Sequence, residues 1–233
     1  MPTEHIVRSY DEDLRKLRDM IARMGGLVER QVSDATRALV RRDSDLAGEV
    51  VQRDVQIDQL EREVEAYCVR LLALRQPMAA DLRLIIACMK VSNDLERIGD
   101  YSANAAKRSI VLASLPGLGS MNGFERMAHL VQENLKAAMD ALVQSDADAA
   151  ERVWAADEPV DEIYNGIFRE MLTHMMEDPR NITACMHLHF IAKNIERVGD
   201  HATTIAEQVI YLATGDLPRD PRPKSESVTM GNV

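Results

Sequence analysis

The sequence predicts an all-α protein built as a tandem repeat of two antiparallel three-helix bundles, six long helices in all. Three observations predict it. Apolar residues step by three and four along most of the chain, which is the helical period, and valines and isoleucines do not alternate as strands require. The stretch Asp94-Leu95-Glu96-Arg97-Ile98-Gly99-Asp100-Tyr101 returns as Asn194-Ile195-Glu196-Arg197-Val198-Gly199-Asp200-His201, displaced by 100 residues. Upstream, Asp54 and Asp58 return as Asp157 and Asp161, displaced by 103, so the duplication reaches beyond one motif and its halves differ by a small indel.

The first helix is expected from about Tyr10 to Arg42, where Leu14, Leu17, Ile21, Met24, Val28, Val32, Ala35 and Leu39 form one stripe. Gly25-Gly26 is a candidate bend within it. Asp43-Ser44-Asp45 supplies capping side chains for a second helix carrying Val50, Ile57, Leu60, Val64, Tyr67, Leu71 and Leu74, and Pro77 ends it. A third runs from about Ala79 to Ala113. The segment Ser114 to Gly123 is the one internal stretch dense in helix breakers, which makes it the join between the repeats.

The second half replays this order: a helix from Phe124 to Gln144, a turn at Ser145-Asp146, a helix to Met176, a break at Asp178-Pro179-Arg180-Asn181 and a last helix to about Thr214. Leu27-Val28 matches Leu130-Val131, Ala38-Leu39-Val40 matches Ala141-Leu142-Val143, and Asp43 matches Asp146. Trp154, matching Val51, reads as an anchor of the second bundle. The expected organisation is a first repeat over 1–113, a linker over 114–123, a second repeat over 124–215 and a tail over 216–233. In the tail Pro218, Pro221 and Pro223 sit among charges without apolar period, so disorder is expected there.

Charge and cysteine usage narrow the function classes. With 38 acidic against 28 basic residues, the net charge of −10 opposes attraction to a phosphate backbone or an anionic membrane, so nucleic acid is not expected as a partner. Cys68, Cys88 and Cys185 are odd in number and lack CxxC spacing, which suggests neither a disulfide framework nor a thiolate zinc site and fits a reducing cytosol. The opening residues lack a basic region followed by an apolar core, and no stretch approaches about 18 uninterrupted apolar residues. Any membrane contact is expected to be peripheral.

The candidate site residues are the acids of the repeat. Glu96 and Asp100, Glu196 and Asp200, Asp54 and Asp58, and Asp157 and Asp161 each stand four apart, stacking two carboxylates on one helix face. Like charges so placed repel by a few tenths of a kcal/mol, which a cation would relieve. At about 100° per residue, Glu196 and Asp200 point away from the stripe of Leu188, Ile191, Ile195, Val198, Ala202, Ile205, Val209 and Leu212. Glu96 and Asp100 hold the same place relative to Val91, Leu95 and Ile98. Asp54 and Asp58 lie at the margin of the second helix's stripe, from which they can close on Glu96 and Asp100.

A solvated acidic face paired with Arg97 and Arg197 is the bland reading of any one pair. Recurrence of both pairs, while Glu61 and Glu65 give way to Tyr164 and Phe168, favours a metal cluster; oxygen ligands alone do not choose the metal. Gly99 and Gly199 cost about 1 kcal/mol each inside a helix, which points to close helix approach. His189 shares a stripe with Glu196 and Asp200 but matches Met89, so it reads as packing before ligation, and His201, matching Tyr101, more so.

These motifs, together with Arg75-Gln76-Pro77 and Asp81-Leu82-Arg83-Leu84, resemble the PhoU family of phosphate-uptake regulators along nearly the whole chain. The resemblance implies a cytoplasmic, non-enzymatic negative regulator of phosphate uptake and of the phosphate-starvation response. Its implied partners are the ATPase subunit of a phosphate ABC transporter and a sensor histidine kinase, with the protein itself a homo-oligomer, a dimer in the first instance. It further implies metal ions, iron or zinc with other divalent cations open, at Asp54, Asp58, Glu96, Asp100, Asp157, Asp161, Glu196 and Asp200. Asn194 departs from the pattern where the first half has Asp94, which would remove one carboxylate from the second site.

Two other classes compete. A ferritin-type di-iron enzyme needs Glu-x-x-His, and here His129 and His174 follow Glu125 and Glu170 by four. A metal-free helical adaptor is the stronger rival, its acids serving solubility and its grooves binding protein. No nucleophile-base-oxyanion set or phosphate-binding Gly-rich loop is present in the sequence, so neither catalysis nor nucleotide hydrolysis is expected.

Overall fold

The structure, a computed structural model, describes residues 2–156 and 158–217. Helix α1 spans Pro2–Arg41, α2 Ser44–Arg75, α3 Ala80–Ala113, α4 Asn122–Gln144, α5 Ala147–Trp154, α6 Glu158–Glu177 and α7 Ile182–Thr214, with a 3-10 turn at Pro179–Asn181 before the last. Among the described residues there is no strand. Helices α1, α2 and α3 pack on one another as the first three-helix bundle, and α4, α5 with α6, and α7 form the second. Asp157 and the tail from Pro218 onward lie outside the described residues.

The duplication is visible in the turns. Arg42 and Ser145 both take φ of 55°, and the following Asp43 and Asp146 have extended backbone and accept from Leu46 N and Ala149 N at 2.9 Å. Both helices end on the same paired bonds: Arg42 N to Leu39 O with Asp43 N to Ala38 O, and Ser145 N to Leu142 O with Asp146 N to Ala141 O. This is a left-handed C-cap followed at once by an Asp N-cap, reproduced in each half.

The expected fifth helix is interrupted. It breaks between α5 and α6, and Pro159 stands in the first turn of α6. Proline lacks the N–H that would bond back to Ala155 and its ring crowds that carbonyl, so the helix restarts where Pro is tolerated. The first half carries Gln56 at the matching position, and α2 runs unbroken. Its partner cross-link is also one-sided: buried Asp34 on α1 meets Arg53 of α2 at 2.7 Å and Arg37 at 2.8 Å, whereas Ala156, in the break, stands opposite Arg53 in the repeat.

The two bundles share one contiguous core. Leu17, Met24, Ile57, Ile85 and Ile98 belong to the same buried cluster as Phe124, Met127, Leu135, Met171 and Ile191. The halves meet through α3 against α7 and α1 against α4. Helices α3 and α7 run antiparallel, since Asp94 faces His201 while Arg108 lies over Phe190. Helix α1 continues through Gly25-Gly26, and a Cβ at Gly25 would come within 2.4 Å of Met139 Cε on α4, so that glycine marks a close crossing. Trp154 is half-buried at the rim of the core and donates from Nε1 to Glu207 on α7. Leu74, at the end of its stripe, is exposed.

Ends are tied by charge. Arg75 of the Arg-Gln-Pro motif reaches Asp13 on α1 at 2.6 Å, and Tyr67 donates to the same carboxylate at 3.0 Å. Arg42 donates to the carbonyls of Leu112 at 2.6 Å and of Leu115, closing the C-terminus of α3, where a cation also complements the helix dipole.

Candidate metal centre

In the first bundle the carboxylate face lies between α2 and α3. Close approach is possible because Gly99 has no side chain: a Cβ there would stand 3.1 Å from Asp54 Oδ1 and 3.2 Å from Ile57 Cδ1. Gln31 of α1, fully buried, donates from Nε2 to Asp54 Oδ1 at 2.7 Å and to Gly99 O at 3.2 Å. Both partners are acceptors, which fixes the amide orientation and leaves Gln31 Oε1 a buried acceptor without a hydrogen bond. Burial, reinforced by Asp100 and Asp58, pushes Asp54 up to about 6 even though Gln31 opposes it. Burial also raises Glu96, and Asp100, Asp58 and Glu61 add to the rise while Arg97 opposes it. The four expected acids of this half therefore share one electrostatic neighbourhood.

The second bundle differs in detail. Glu196, with 13% of its side chain exposed, has its Oε2 at 2.6 Å from Lys193 Nζ, an ionic contact whose angle is off hydrogen-bond geometry. Burial raises Glu196, Lys193 opposes the rise, and Asp200 and Asp161 add to it. Asp161, Glu196 and Asp200 are thus neighbours, and Asp157, the fourth acid, is outside the described residues. Gly199 is less crowded than Gly99, with Val131 Cγ2 at 3.4 Å and Val160 Cγ1 at 3.8 Å from a would-be Cβ. His189 packs against Phe168 and Tyr164 at centroid distances of 5.3 and 6.0 Å, and burial lowers its pKa.

Among the described residues, no group of three or more His, Cys, Asp or Glu stands ready-made to hold a metal ion. The acids share faces without being drawn to one point.

Asp94 belongs to neither face. It is buried between the bundles, with Oδ1 at 2.8 Å from Nδ1 of His201, whose ring tilts against Tyr101 at 5.6 Å. The repeat relates Asp94 to Asn194 and His201 to Tyr101, and Asn194 and Tyr101 line one small cavity of about 20 Å3 between α1, α3 and α7. An Asp with a His on one side of the junction is thus exchanged for an Asn with a Tyr on the other. The signal was in the sequence, as two differences inside one repeated motif.

A family profile described as the PhoU domain matches residues 21–109 and again 124–209. The chain belongs to the PhoU family. It is 50% identical over 223 residues to a phosphate-specific transport system accessory protein PhoU homolog of Caulobacter vibrioides, covering 95% of this chain and 97% of that one. It is 45% identical over 236 residues to the homolog of Rhizobium meliloti, covering 100% and 99%. Its fold matches the crystal structure of PhoU from Pseudomonas aeruginosa with a TM-score of 0.86 at 43% identity, covering 89% of this chain and 100% of that one. The phosphate transport system regulatory protein PhoU from Streptococcus pneumoniae follows with 0.83 at 30%, covering 90% and 99%. PhoU proteins are regulatory accessory proteins, and this member is not an enzyme. Among the described residues no helix is long and apolar enough to cross a membrane.

Proposed function

We propose that this protein restrains phosphate uptake and holds the phosphate-starvation response off, as a cytoplasmic adaptor between the ATPase subunit of a phosphate ABC transporter and a sensor histidine kinase, and that it works as a homodimer. The observation that carries the reading is family membership in both halves of the chain, among relatives named as accessory proteins of phosphate-specific transport. Physical features agree with an adaptor. Phe168, Leu172 and Met176 on α6 and Ile182, Met186 and Phe190 on α7 are exposed apolar side chains at helical spacing, which suits protein contact. A net charge of −10 makes capture of phosphate by bulk attraction implausible, so phosphate is sensed elsewhere. Deleting the gene is expected to leave starvation genes expressed in phosphate-rich medium, and the protein is expected to co-purify with the ATPase subunit or the kinase. Normal repression in a deletion strain without a paralogue would sink the assignment.

We propose further that Asp54, Asp58, Glu96 and Asp100 in the first bundle, and Asp157, Asp161, Glu196 and Asp200 in the second, hold metal ions, iron or zinc in first place. The donor set supports it: carboxylate oxygens on adjoining helices, the orphaned Gln31 Oε1 beside them, and the close approach of α2 to α3 that Gly99 permits at Asp54. A bound cation would supply the positive charge that these mutually repelling acids lack, tying α2 to α3 and α6 to α7. The absence of a ready-made ligand group among the described residues favours the alternative, a metal-free helical adaptor.

A further inference from the structure

The seam between α6 and α7 is apolar at places where the matching seam of the first bundle carries charge. Glu65, Ala73 and Lys90 on α2 and α3 give way to Phe168, Met176 and Phe190, while Val69, Leu82 and Ile86 stay apolar as Leu172, Ile182 and Met186. All six of these second-bundle side chains are exposed. His189 joins the two rows, with its ring 5.3 Å from Phe168, 6.0 Å from Tyr164 and 5.8 Å from Phe190 between centroids. Burial lowers the pKa of His189 and Lys193 adds to the fall, so the imidazole serves here as a ring and not as a cation. From Phe168 to Met176, and from Ile182 to Phe190, the stripe runs about 12 Å. Its border is basic, in a chain whose net charge is −10. Arg108 reaches over Phe190 from α3 with Cζ 4.2 Å from the ring centroid, and Arg169 is exposed beside Phe168. Lys193, 5.3 Å from the Tyr164 centroid, replaces Asn93 and stands between the rings and the acids Asp161 and Glu196 further along. Among the described residues neither arginine forms an ion pair. Of the acids at this end of α6, Glu170 and Glu177 stand 3.8 and 3.7 Å from His174, on the side that faces the linker, and Asp178 is 2.8 Å from Arg180.

We propose that the seam of α6 and α7 is a docking groove for an amphipathic helix of a partner protein, one that carries apolar anchors on successive turns and Asp or Glu on its flanks. The inference rests on the adaptor reading given above and adds to it a surface and the chemistry of what covers that surface. A helix with anchors at i, i+4 and i+7 spreads them over about 10 Å, which the stripe accommodates. The aromatic rings supply a large contact area on few rotatable bonds, the usual make-up of a binding hot spot. Acidic flanks meet the unpaired Arg108 and Arg169, whereas basic flanks are repelled, so charge selects the partner. A second copy of the chain is a poorer occupant, because it brings the same basic border and because six apolar side chains fall well short of the about 20–30 residues a side of a standard interface. An anionic membrane would suit the border but is opposed by the charge of the whole chain, −10. The first bundle offers no equivalent groove, since Glu65 and Lys90 stand where the two Phe rings are.

The test uses the full chain and two fluorescein-labelled helical peptides with the same leucines at i, i+4 and i+7, flanked by glutamates in one and by lysines in the other. In anisotropy titrations the glutamate peptide is expected to bind about tenfold more tightly. Phe168→Glu with Phe190→Lys, which installs the first bundle's residues at exposed positions, is expected to weaken it about thirtyfold, the scale of one aromatic hot spot. Phe168→Ala with Phe190→Ala is expected to repeat the loss without new charge, and a melt checks each variant. Arg108→Glu with Arg169→Glu is expected to reverse the preference between the peptides. Methyl signals of Met176 and Met186 are expected to shift on binding, while those of the buried Met24 and Met127 stay. No binding of either peptide, equal binding of both, or binding that the Phe variants leave unchanged overturns the proposal. If the Phe variants instead abolish self-association in sedimentation, or flotation with phosphatidylglycerol vesicles, the face belongs to a second copy or to a membrane, which overturns it as well. In a deletion strain that has lost repression of starvation genes, full complementation by both Phe variants overturns the groove and leaves the adaptor reading standing. Normal repression in the deletion strain itself sinks the adaptor reading and this inference with it.

Discussion

Asp54→Asn is the perturbation that most directly tests the electrostatics of the first face. Burial holds this carboxyl up to about 6 against an ordinary 3.8. The native state therefore keeps a proton that the unfolded chain has lost. The stability associated with it is fully present below the unfolded value and is lost as pH rises through about 6. A shift of this size corresponds to about 3 kcal/mol at 1.36 kcal/mol per unit. Asp54 is only half-buried, so solvent screening reduces the realisable effect to on the order of 1–2 kcal/mol. Asparagine keeps an oxygen to accept from Gln31 Nε2 and carries no charge to lose. In chelator at pH 7.5, Asp54→Asn is expected to be more stable than the parent by about 1–2 kcal/mol, raising Tm by about 2–8 °C for a chain of this size. At pH 4 the two proteins are expected to melt together. Urea titration at both pH values decides it. A variant less stable than the parent at pH 7.5, or a difference that does not change with pH, would refute the reasoning.

Two further outcomes follow from the helix crossings. Gly199→Ala is expected to stabilise by about 0.5–1 kcal/mol, since the new methyl meets only ordinary contacts and the helix gains propensity. Gly99→Ala is expected to destabilise by about 1–3 kcal/mol, because the methyl presses on Asp54 and at two atoms on fully buried Ile57, closer than ordinary contact. Urea titration in chelator compares them, and a common sign would defeat the assignment of Gly99 to close packing. At the junction, Asp94→Asn is expected to cost about 1–2 kcal/mol by weakening the His201 contact, and adding His201→Tyr is expected to recover part of it by recreating the Asn-Tyr combination of the other side. Strictly additive effects in that cycle would show that the pair does not act as a unit.

Most of the fold was legible because the information is redundant. Each helix is announced by its own period, its own breakers and a counterpart in the other half, so a local error has little room to spread. The turn residues show why this works: Asp43 and Asp146 are the caps, and the same left-handed residue precedes each. The break before Pro159 is what the repeat conceals: α2 runs unbroken in the first half, and a single proline interrupts the matching helix in the second. The shared core was not legible either, because helical period says that a face is buried without saying against which bundle.

At the candidate site, spacing within one helix placed Glu96 with Asp100 and Glu196 with Asp200, since four residues return to the same face whatever the surroundings. Contributions from other helices were beyond its reach. Gln31 arrives from α1, and its period marks it only as a polar residue beside Val32; nothing local says that it is fully buried and bonded to Asp54. Asp94 shows the opposite limit. Its place beside Glu96 in the repeated motif invited a role as an extra ligand, but two residues along a helix turn a side chain by about 200°, nearly to the opposite face. That face is the junction with α7, where His201 waits. Differences between repeats are therefore more informative than the matches: the matches record what both bundles need to fold, whereas Asp94 against Asn194 and Asn93 against Lys193 record where the two halves meet different surroundings and where the duplicated faces stopped being equivalent.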